Sequence, residues 1–281
     1  MKKLATAFIL VLSLALLAGC GESKDDTTAT TASSCEPGQL PTVTDGVLTV
    51  ATDKPAYPPY FEDDDPTNGE GFESAVAYAI GEQLGYPQAK VKWVVEPFNS
   101  SYAPGPKDFD FDVNQISITP AREKAVDFSS PYYTANQAVV ALKGSEAAGA
   151  TSLADLKSAR IGVQIGTTSL AAVEETIEPD DKPQVFNSSN DVVTALKNEQ
   201  IDAVVVDLPT ALYITAVQVP AATVTGQFAA PGGDQWGALL AKDSPLTDCV
   251  SEAVDELKSS GELDQITQRW MSDAAGAPEL N

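Results

Sequence analysis

Three short polar segments carry side chains that could together bind a small molecule with both an ammonium and a carboxylate group. In the first, SITPAR at residues 117–122, Thr119 and Pro120 are typical of a helix start, so Arg122 should lie in the first turn. A guanidinium group can bind a carboxylate through two parallel hydrogen bonds. Arg122 is therefore a candidate for holding a carboxylate, and a surface ion pair with Glu123 is the alternative.

The second segment is a glycine followed by three hydroxyl residues, Gly166, Thr167, Thr168 and Ser169. It follows an apolar run at residues 161–165 and precedes an apolar helical pattern, so we expect a strand, a turn and a helix start in succession. Backbone amides and hydroxyls at such a turn can hold an anion without a cationic side chain. Helix capping by Thr168 or Ser169 is the alternative, and the two uses are compatible.

The third segment supplies an acid. Asp207 follows the apolar run at residues 201–206, so it should stand at the carboxyl end of a buried strand, where it could receive an ammonium group. Because Leu208 and Pro209 come next, Asp207 is also a favoured helix N-cap, and this is the alternative.

The sequence YPPY at residues 57–60 follows the first predicted strand. Its prolines stiffen the loop, so Tyr57 and Tyr60 are held with little loss of entropy. The aromatic rings could stack on a ligand side chain, and packing over the edge of a lobe is the alternative.

Alternating strand and helix patterns must position these segments. Apolar residues recur with helical spacing over residues 72–84, with Glu73 in the first turn and Gly85 as a stop. The alternation predicts parallel α/β sheets with helices on both faces, which bind ligands at the carboxyl ends of their strands. Pro104, Gly105 and Pro106 predict a long loop over residues 98–111. The predicted strands are residues 47–51, 91–95, 115–118, 138–142, 161–165, 201–206 and 238–241.

The composition limits the classes of function. A chain of 281 residues with 43% hydrophobic content is near the size at which one core divides into two, so two lobes are expected. The formal net charge of -23 repels phosphate backbones, which argues against nucleic-acid binding. Histidine is absent from the sequence, which removes the commonest general base and transition-metal ligand. We expect neither a cofactor nor a metal.

The N-terminus is typical of an exported protein. Lys2 and Lys3 precede an apolar run at residues 4–18, which is too short to favour a retained transmembrane helix. The run ends in LAGC and resembles a bacterial lipobox, so residues 1–19 are predicted to be a signal peptide. Cys20 would then carry acyl chains such as palmitate and anchor the protein outside the cytoplasm at the cell membrane. Residues 20–44 are expected to form a flexible tether.

Two further cysteines, Cys35 and Cys249, would enter an oxidising compartment after export. Under those conditions a disulfide between them is predicted. The alternative is a buried thiol at Cys249 and a different reaction partner for Cys35.

Taken in order, the segments resemble the polar amino-acid-binding proteins of ABC transporters, family 3 of the bacterial extracellular solute-binding proteins. The resemblance runs from about Leu48 to Trp270. Each match is short, and their order along the chain is what makes the resemblance specific. The matching residues are Thr52-Asp53, Tyr57-Pro58-Pro59-Tyr60, Gly71-Phe72-Glu73, Ser117-Ile118-Thr119 with Arg122, Asp127-Phe128-Ser129, Pro131-Tyr132-Tyr133, Gly162-Val163-Gln164, Gly166-Thr167-Thr168, Asp202-Ala203-Val204, Asp207, Gly261 and Trp270.

The resemblance implies a type II periplasmic-binding-protein fold, in which two α/β lobes joined by two hinge strands close on a ligand like a Venus flytrap. Lobe 1 would comprise residues 45–136 and 231–281, and lobe 2 residues 137–230. The chain would cross near residues 135–138 and return near residues 230–233. The implied protein is a monomer that delivers a small ligand, expected to be an amino acid, to ABC permease subunits.

The same resemblance implies how the ligand is held. Arg122 and Thr168 would take the ligand carboxylate, and Ser117 and Asp207 would take the ammonium group. The full set of ligand-binding residues implied is Asp53, Tyr57, Phe98, Gln115, Ser117, Arg122, Thr167, Thr168 and Asp207.

The side-chain pocket, which Tyr57 and Phe98 would line, departs most from the family pattern. Gln115 stands where the family usually has a small residue, so its side chain either reshapes the pocket or points away. One extra residue separates Asp53 from Tyr57. The pocket's specificity therefore stays open.

Binding without catalysis is the expected function, because no residue set activates a nucleophile. Dehydratases related to this family exist, so an exported enzyme with Asp53 or Glu73 as the catalytic acid is one alternative. A lipoprotein that senses its ligand without transporting it is another.

Overall fold

The computed structural model describes residues 35–271 and 277–281, which belong to one compact unit and form two α/β lobes. The strands of lobe 1 are β1 (Leu48–Thr52), β2 (Val91–Val95), β3 (Phe111–Asp112), β4 (Val126–Phe128) and β12 (Leu239–Ala241). They form one sheet in the order β2-β1-β3-β12-β4. β1 is parallel to β2 and β3, whereas β12 is antiparallel to β3 and β4.

Three helices cover one face of the lobe 1 sheet, and a short fourth lies near the cleft. They are α1 (Phe72–Gln83), α6 (Thr247–Ser259), α7 (Glu262–Met271) and the short α2 (Phe98–Ser101). α1, α6 and α7 bury their apolar stripes in a common core. α1 begins after Gly71, whose φ is +98° and where a Cβ would lie 2.4 Å from the Tyr60 carbonyl oxygen. Glycine at this position lets α1 start directly against the loop at residues 57–60.

Lobe 2 is a second mixed sheet with helices on both faces. Its strands are β6 (Gln137–Leu142), β7 (Ile161–Gln164), β8 (Gln184–Phe186), β9 (Ala203–Asp207) and β10 (Ala222–Phe228), in the order β10-β6-β9-β7-β8. Along β6 and β9, Val139 and Val205 face one core while Val140 and Val204 face the other. Its helices are α3 (Thr168–Ala172), α4 (Ser189–Lys197) and α5 (Leu208–Tyr213).

Two short strands join the lobes. β5 (Tyr133–Ala135) pairs antiparallel with β11 (Asp234–Trp236), and Asp234 stands opposite Ala135. The chain enters lobe 2 through β6 directly after β5, and it returns to lobe 1 through β11. This two-stranded ladder is the hinge.

The C-terminal residues add a third connection between the lobes. From the sequence we predicted that residues 277–281 belong to lobe 1, but the structure places them against lobe 2. Leu280 is 4% exposed in the lobe 2 core, and the Gln227 backbone donates to Pro278 and accepts from Leu280. Gly226 makes room, because a Cβ there would lie 2.6 Å from Leu280 Cγ.

Residues 35–44, assigned to the tether from the sequence, pack on lobe 1. Leu40 is buried in the lobe 1 core, and the Val43 amide donates to the Asp110 carboxylate at 2.7 Å. A disulfide joins Cys35 to Cys249 on α6 across 214 positions of the chain, so the thiol alternative is not realised. The folded region therefore begins earlier than composition suggested, because a few apolar contacts and one covalent bond outweigh its polar residues.

Three local predictions differ from the structure. Residues 115–118 are not a strand: Gln115 has φ +50°, and the segment makes one isolated bridge, from Ser117 to Trp236. The predicted loop at 98–111 begins with α2 and ends at β3. Both sheets are mixed rather than parallel, since the strands that follow the hinge, β6 and β12, run antiparallel to their neighbours.

The predicted signal peptide, Cys20 and most of the tether lie outside the described residues. Within residues 35–271 and 277–281, no helix combines the length and apolar character needed to span a bilayer.

Candidate functional site

A cavity of about 110 Å³ lies between the lobes at the carboxyl ends of β1, β7 and β9. It has room for several water molecules. A wider space of about 400 Å³ adjoins it at the mouth of the cleft and shares part of its wall. All nine residues predicted to bind ligand line the inner cavity: Asp53, Tyr57, Phe98, Gln115, Ser117, Arg122, Thr167, Thr168 and Asp207.

Arg122 forms a rigid cationic wall of the cavity and is only 8% exposed. Its guanidinium donates to the carbonyl oxygens of Ser117 at 2.7 Å and Gly166 at 3.0 Å. It also lies 4.8 Å from the centre of the Tyr102 ring and 5.4 Å from that of Phe98. Burial lowers the pKa of Arg122, but an arginine stays protonated at neutral pH. These two bonds use two of five N–H donors, so the group retains donors for a carboxylate.

The local backbone explains why Arg122 turns inward. The Thr119 hydroxyl accepts the Arg122 backbone N–H at 3.2 Å, as a helix cap does. Only a single 3₁₀ turn, Arg122–Lys124, follows, so the helix dipole that would oppose a cation here is small. The guanidinium faces the cleft instead of pairing with Glu123.

The turn after β7 is capped by a different residue from those predicted. Thr167 accepts the Leu170 backbone N–H at 3.2 Å and donates to the Gln164 carbonyl at 2.8 Å. Capping by Thr168 or Ser169 is therefore wrong by one or two residues, because Thr167 is the last residue with extended backbone before α3. This leaves the Thr168 hydroxyl available to the cleft.

Thr168 connects both lobes and the hinge. Its hydroxyl lies 3.2 Å from the Ser117 hydroxyl of lobe 1 and 2.9 Å from Asp234 Oδ2. Since an ionised carboxylate only accepts, Thr168 donates to Asp234 and accepts from Ser117. The three side chains thus form one directed hydrogen-bond chain.

Asp207 faces the cavity as a half-buried carboxylate. It occupies the N-cap position of α5 as the alternative expected, but its side chain makes no capping bond, so the carboxylate is left for the cavity. One oxygen accepts the Gln137 side-chain N–H at 2.6 Å. Burial, and next the nearby charge of Asp234, raise the pKa of Asp207 well above its usual range. An ammonium group would stabilise its ionised form.

Two buried residues of this site escaped the sequence analysis, Gln137 and Asp234. The Gln137 amide nitrogen also donates to Asp234 Oδ2 at 2.6 Å. Asp234 directly follows the segment where the chain was expected to return to lobe 1, and this position was the one available signal. Its proximity to Asp207 depends on hinge pairing between residues about one hundred positions apart.

The outer wall carries the Asp53 carboxylate and the aromatic rings of Tyr57 and Phe98. Asp53 accepts the backbone N–H groups of Lys54 at 2.6 Å and Phe98 at 3.2 Å, which fixes its carboxylate at the junction of the two spaces. The Tyr57 ring lies 6.0 Å from the Tyr213 ring of lobe 2. A ligand side chain passing outward would meet these groups.

Gln115 resolves one alternative of the sequence analysis. Its backbone and side-chain N–H groups both donate to the buried Glu73 carboxylate, and the Tyr132 hydroxyl donates to the same carboxylate. The side chain is therefore held by Glu73 while Gln115 still contributes to the cavity wall. Burial raises the pKa of Glu73 to about 7, and these hydrogen bonds offset part of the rise.

The lobes contact each other around the cavity. Besides the Ser117–Thr168 and Arg122–Gly166 contacts, the Asn99 side chain donates to the Asn187 carbonyl at 3.3 Å. Tyr60 and Thr210 hydroxyls lie 2.8 Å apart. The structure thus has the lobes closed over the site.

The model of the bacterial extracellular solute-binding proteins, family 3, matches residues 48–273. The arginine-binding extracellular protein ArtP of Bacillus subtilis is 31% identical over 217 residues, covering 75% of this chain and 82% of that protein. A solved ancestral arginine-binding protein bound to arginine has 32% identity and a TM-score of 0.67, and the match covers 80% of this chain and 97% of that chain.

A second solved structure, the ancestral amino acid-binding protein AncCDT-1, a precursor of cyclohexadienyl dehydratase, has 28% identity and a TM-score of 0.63. The match covers 80% of this chain and 94% of that chain. The two-lobed α/β fold expected from the sequence is confirmed by these structural similarities. The chain belongs to family 3 of the bacterial extracellular solute-binding proteins, the amino-acid-binding proteins of ABC transporters.

Proposed function

We propose that this chain captures a free amino acid outside the cytoplasm and delivers it to an ABC importer. One observation carries the proposal: Arg122 of lobe 1 and Asp207 of lobe 2, which have opposite charges, line one cavity of about 110 Å³. An amino acid presents a carboxylate and an ammonium at a fixed separation, so it can bridge the two lobes. Ligand would then favour the closed state through contacts that an open state lacks.

The carboxylate of the ligand would bind Arg122 and the backbone amides at the start of α3, and the ammonium would bind Asp207. Hydrogen bonds to charged groups contribute about 1.5–3 kcal/mol each. A micromolar ligand needs about -8 kcal/mol, which several such bonds and the burial of a side chain can supply. Because Arg122 and Asp207 lie on different lobes, neither lobe alone would bind both charged groups of the ligand.

The ligand side chain would extend past Phe98 and Asp53 into the wider outer space. A side chain ending in a cation suits the Asp53 carboxylate, and the relative ArtP and the ancestral protein are both described as arginine-binding. Arginine is therefore the first ligand to test, ahead of neutral and acidic amino acids.

A thermal-shift screen of the twenty amino acids, ornithine and cystine tests the proposal, because a ligand that binds only the folded state raises the unfolding temperature. Calorimetry then gives the affinity of each hit. Arg122→Lys keeps the charge but loses the two-pronged geometry, so we expect affinity to fall at least tenfold. The matched control is Arg160→Lys, because Arg160 forms an ion pair with Asp202 on the surface. A flat screen for the wild-type protein would refute amino-acid binding.

We further propose that acyl chains on Cys20 hold the protein at the membrane. The support is the sequence pattern of residues 1–20. Cys20→Ala should move the protein from the membrane fraction to the soluble fraction of the cell envelope. Equal membrane retention of both forms would count against a lipid anchor.

The similarity to AncCDT-1 favours one second candidate, a dehydratase. The Glu73 carboxylate is already bonded to Gln115 and Tyr132 and lies behind the cavity wall. Of the two acids expected for this alternative, Asp53 lines the cavity. Recovering each bound ligand by mass spectrometry distinguishes the two functions, because a binding protein returns it unchanged and a dehydratase returns it without one water.

A further inference from the structure

Asp234 lies on hinge strand β11, is 0% exposed and sits behind the cavity wall. Its Oδ2 atom accepts from Gln137 Nε2 at 2.6 Å, and the same nitrogen donates to Asp207 Oδ1 at 2.6 Å. The two carboxylate oxygens are therefore within about 5 Å of each other. One neutral amide group holds the buried Asp234 and the half-buried Asp207 together.

The charges around this amide do not balance. Among the described residues, Arg122 is a cationic side chain that acts on both Asp207 and Asp234, and with both acids ionised it supplies one positive charge against two negative charges. Oδ1 of Asp234 and Oε1 of Gln137 are buried without a hydrogen-bond partner in the described part of the chain. Buried carboxylates are normally paired, so this cluster lacks one positive charge.

Asp234 also reaches the cleft through hydroxyl groups. The chain from Ser117 through Thr168 to Asp234 joins lobe 1, lobe 2 and the hinge. Because Asp234 accepts a hydrogen bond from the Thr168 hydroxyl, it sets the direction of both hydroxyls. A change at Asp234 would therefore alter groups that line the cavity.

We propose that Asp234 is a specificity-determining and positioning residue, which together with Asp207 forms a two-carboxylate receptor for the cationic α-ammonium group of the ligand. This rests on the proposed function. Asp207 contacts the ammonium, and Asp234 acts from behind through its charge and through Gln137. The ligand's α-ammonium would place a positive charge beside these two acids, while its α-carboxylate pairs with Arg122. A ligand without the ammonium leaves two acids facing each other and is rejected.

The test compares L-arginine with 5-guanidinopentanoate, which has the same carboxylate and side chain but no α-ammonium. Calorimetry at pH 7 measures both affinities for the wild type, Asp234→Asn, Asp234→Ser and Asp234→Glu. Two neutral variants are made because a single one could fail to fold, and one folded variant is enough for the test. The matched control is Asp248→Asn, an exposed acid at the start of α6.

For the neutral variants we expect arginine affinity to fall at least tenfold, while the affinity for 5-guanidinopentanoate stays within threefold of wild type or increases, because one of the two facing charges is gone. Asp234→Glu should keep most of the preference for the ammonium, and the control should keep all of it. Equal weakening of both ligands would mean a purely structural role and overturn the inference, as would arginine affinity within threefold of wild type.

If the wild type binds a different amino acid, the test uses that amino acid and its analogue without the α-ammonium in place of arginine and 5-guanidinopentanoate. If the wild type binds no amino acid, the proposed function itself fails. If the wild type binds arginine and the neutral variants keep the same preference for arginine over 5-guanidinopentanoate, only the role of Asp234 is contradicted.

Discussion

The hydroxyl groups of Tyr60 and Thr210 lie 2.8 Å apart and link a buried tyrosine of lobe 1 to the first turns of α5 in lobe 2. This bond exists only while the lobes are closed. Tyr60→Phe should therefore weaken ligand binding, by about 2- to 10-fold, since a neutral hydrogen bond contributes about 0.5–1.5 kcal/mol. Calorimetry with a ligand from the screen measures the change.

Thr210→Val and the double variant complete a double-mutant cycle for this contact. The double variant should lose no more affinity than Tyr60→Phe alone. Additive losses would mean that the two hydroxyls act independently and that the bond does not support closure.

Glu73 should make stability depend on pH. Burial raises its pKa from 4.5 to about 7, so the folded state binds the proton more tightly than the unfolded state. The stabilising contribution is complete below pH 4.5 and is lost as the pH rises through 7. Between pH 5 and 8 we expect the wild type to lose about 2–3 kcal/mol of unfolding free energy that Glu73→Gln does not lose.

Denaturant unfolding at several pH values measures this difference, with the exposed Glu82→Gln on the same helix as control. Burial also raises the pKa of Asp112 and Asp207, so Glu73→Gln should keep part of the trend. Identical slopes for wild type and Glu73→Gln would exclude Glu73 as a source.

The Cys35–Cys249 disulfide should stabilise lobe 1. It closes a loop of more than two hundred residues and so restricts the unfolded chain. Cys35→Ser combined with Cys249→Ala should lower the unfolding free energy by about 2–4 kcal/mol, with a lower melting temperature. Thermal unfolding with and without reductant measures it, and reductant should leave the double variant unchanged. A wild-type melting temperature insensitive to reductant, despite verified reduction, would contradict this.

The C-terminal residues should stabilise lobe 2 through Leu280. Leu280→Ala removes a side chain buried in that core, so we expect a loss of about 2 kcal/mol. The exposed neighbour Glu279→Ala should stay within about 0.5 kcal/mol of wild type. Hydrogen exchange of the β10 amides should increase in the first variant alone. Unchanged protection would mean that the C-terminal residues contribute nothing to the lobe.

Local chemistry in the sequence named Arg122 and Asp207 as candidates but left a plainer alternative open for each, and the family resemblance implied their binding roles. Arg122 after a Thr-Pro helix start and Asp207 at the end of an apolar strand were identified by residue type and position, and the order of segments along the chain indicated the family. The predicted strand at 115–118 failed because Gln115 adopts a left-handed backbone conformation that lets its amide groups reach Glu73.

Long-range contacts account for what the sequence did not reveal. Asp234 joins the site through the pairing of β5 with β11, and Leu280 joins lobe 2 after the chain has already completed lobe 1. Neither contact leaves a periodic pattern, because each depends on one residue at one position. The N-terminal boundary was missed for the same reason, since Leu40 is a single apolar residue among polar neighbours.

Cys35 is bonded to α6 of lobe 1, whereas the Asn281 carbonyl accepts from the Leu153 backbone of lobe 2. These two positions are thus fastened to different lobes. Fluorescent labels placed near them would change their separation as the lobes rotate, so the protein has the geometry of an optical reporter for its own ligand.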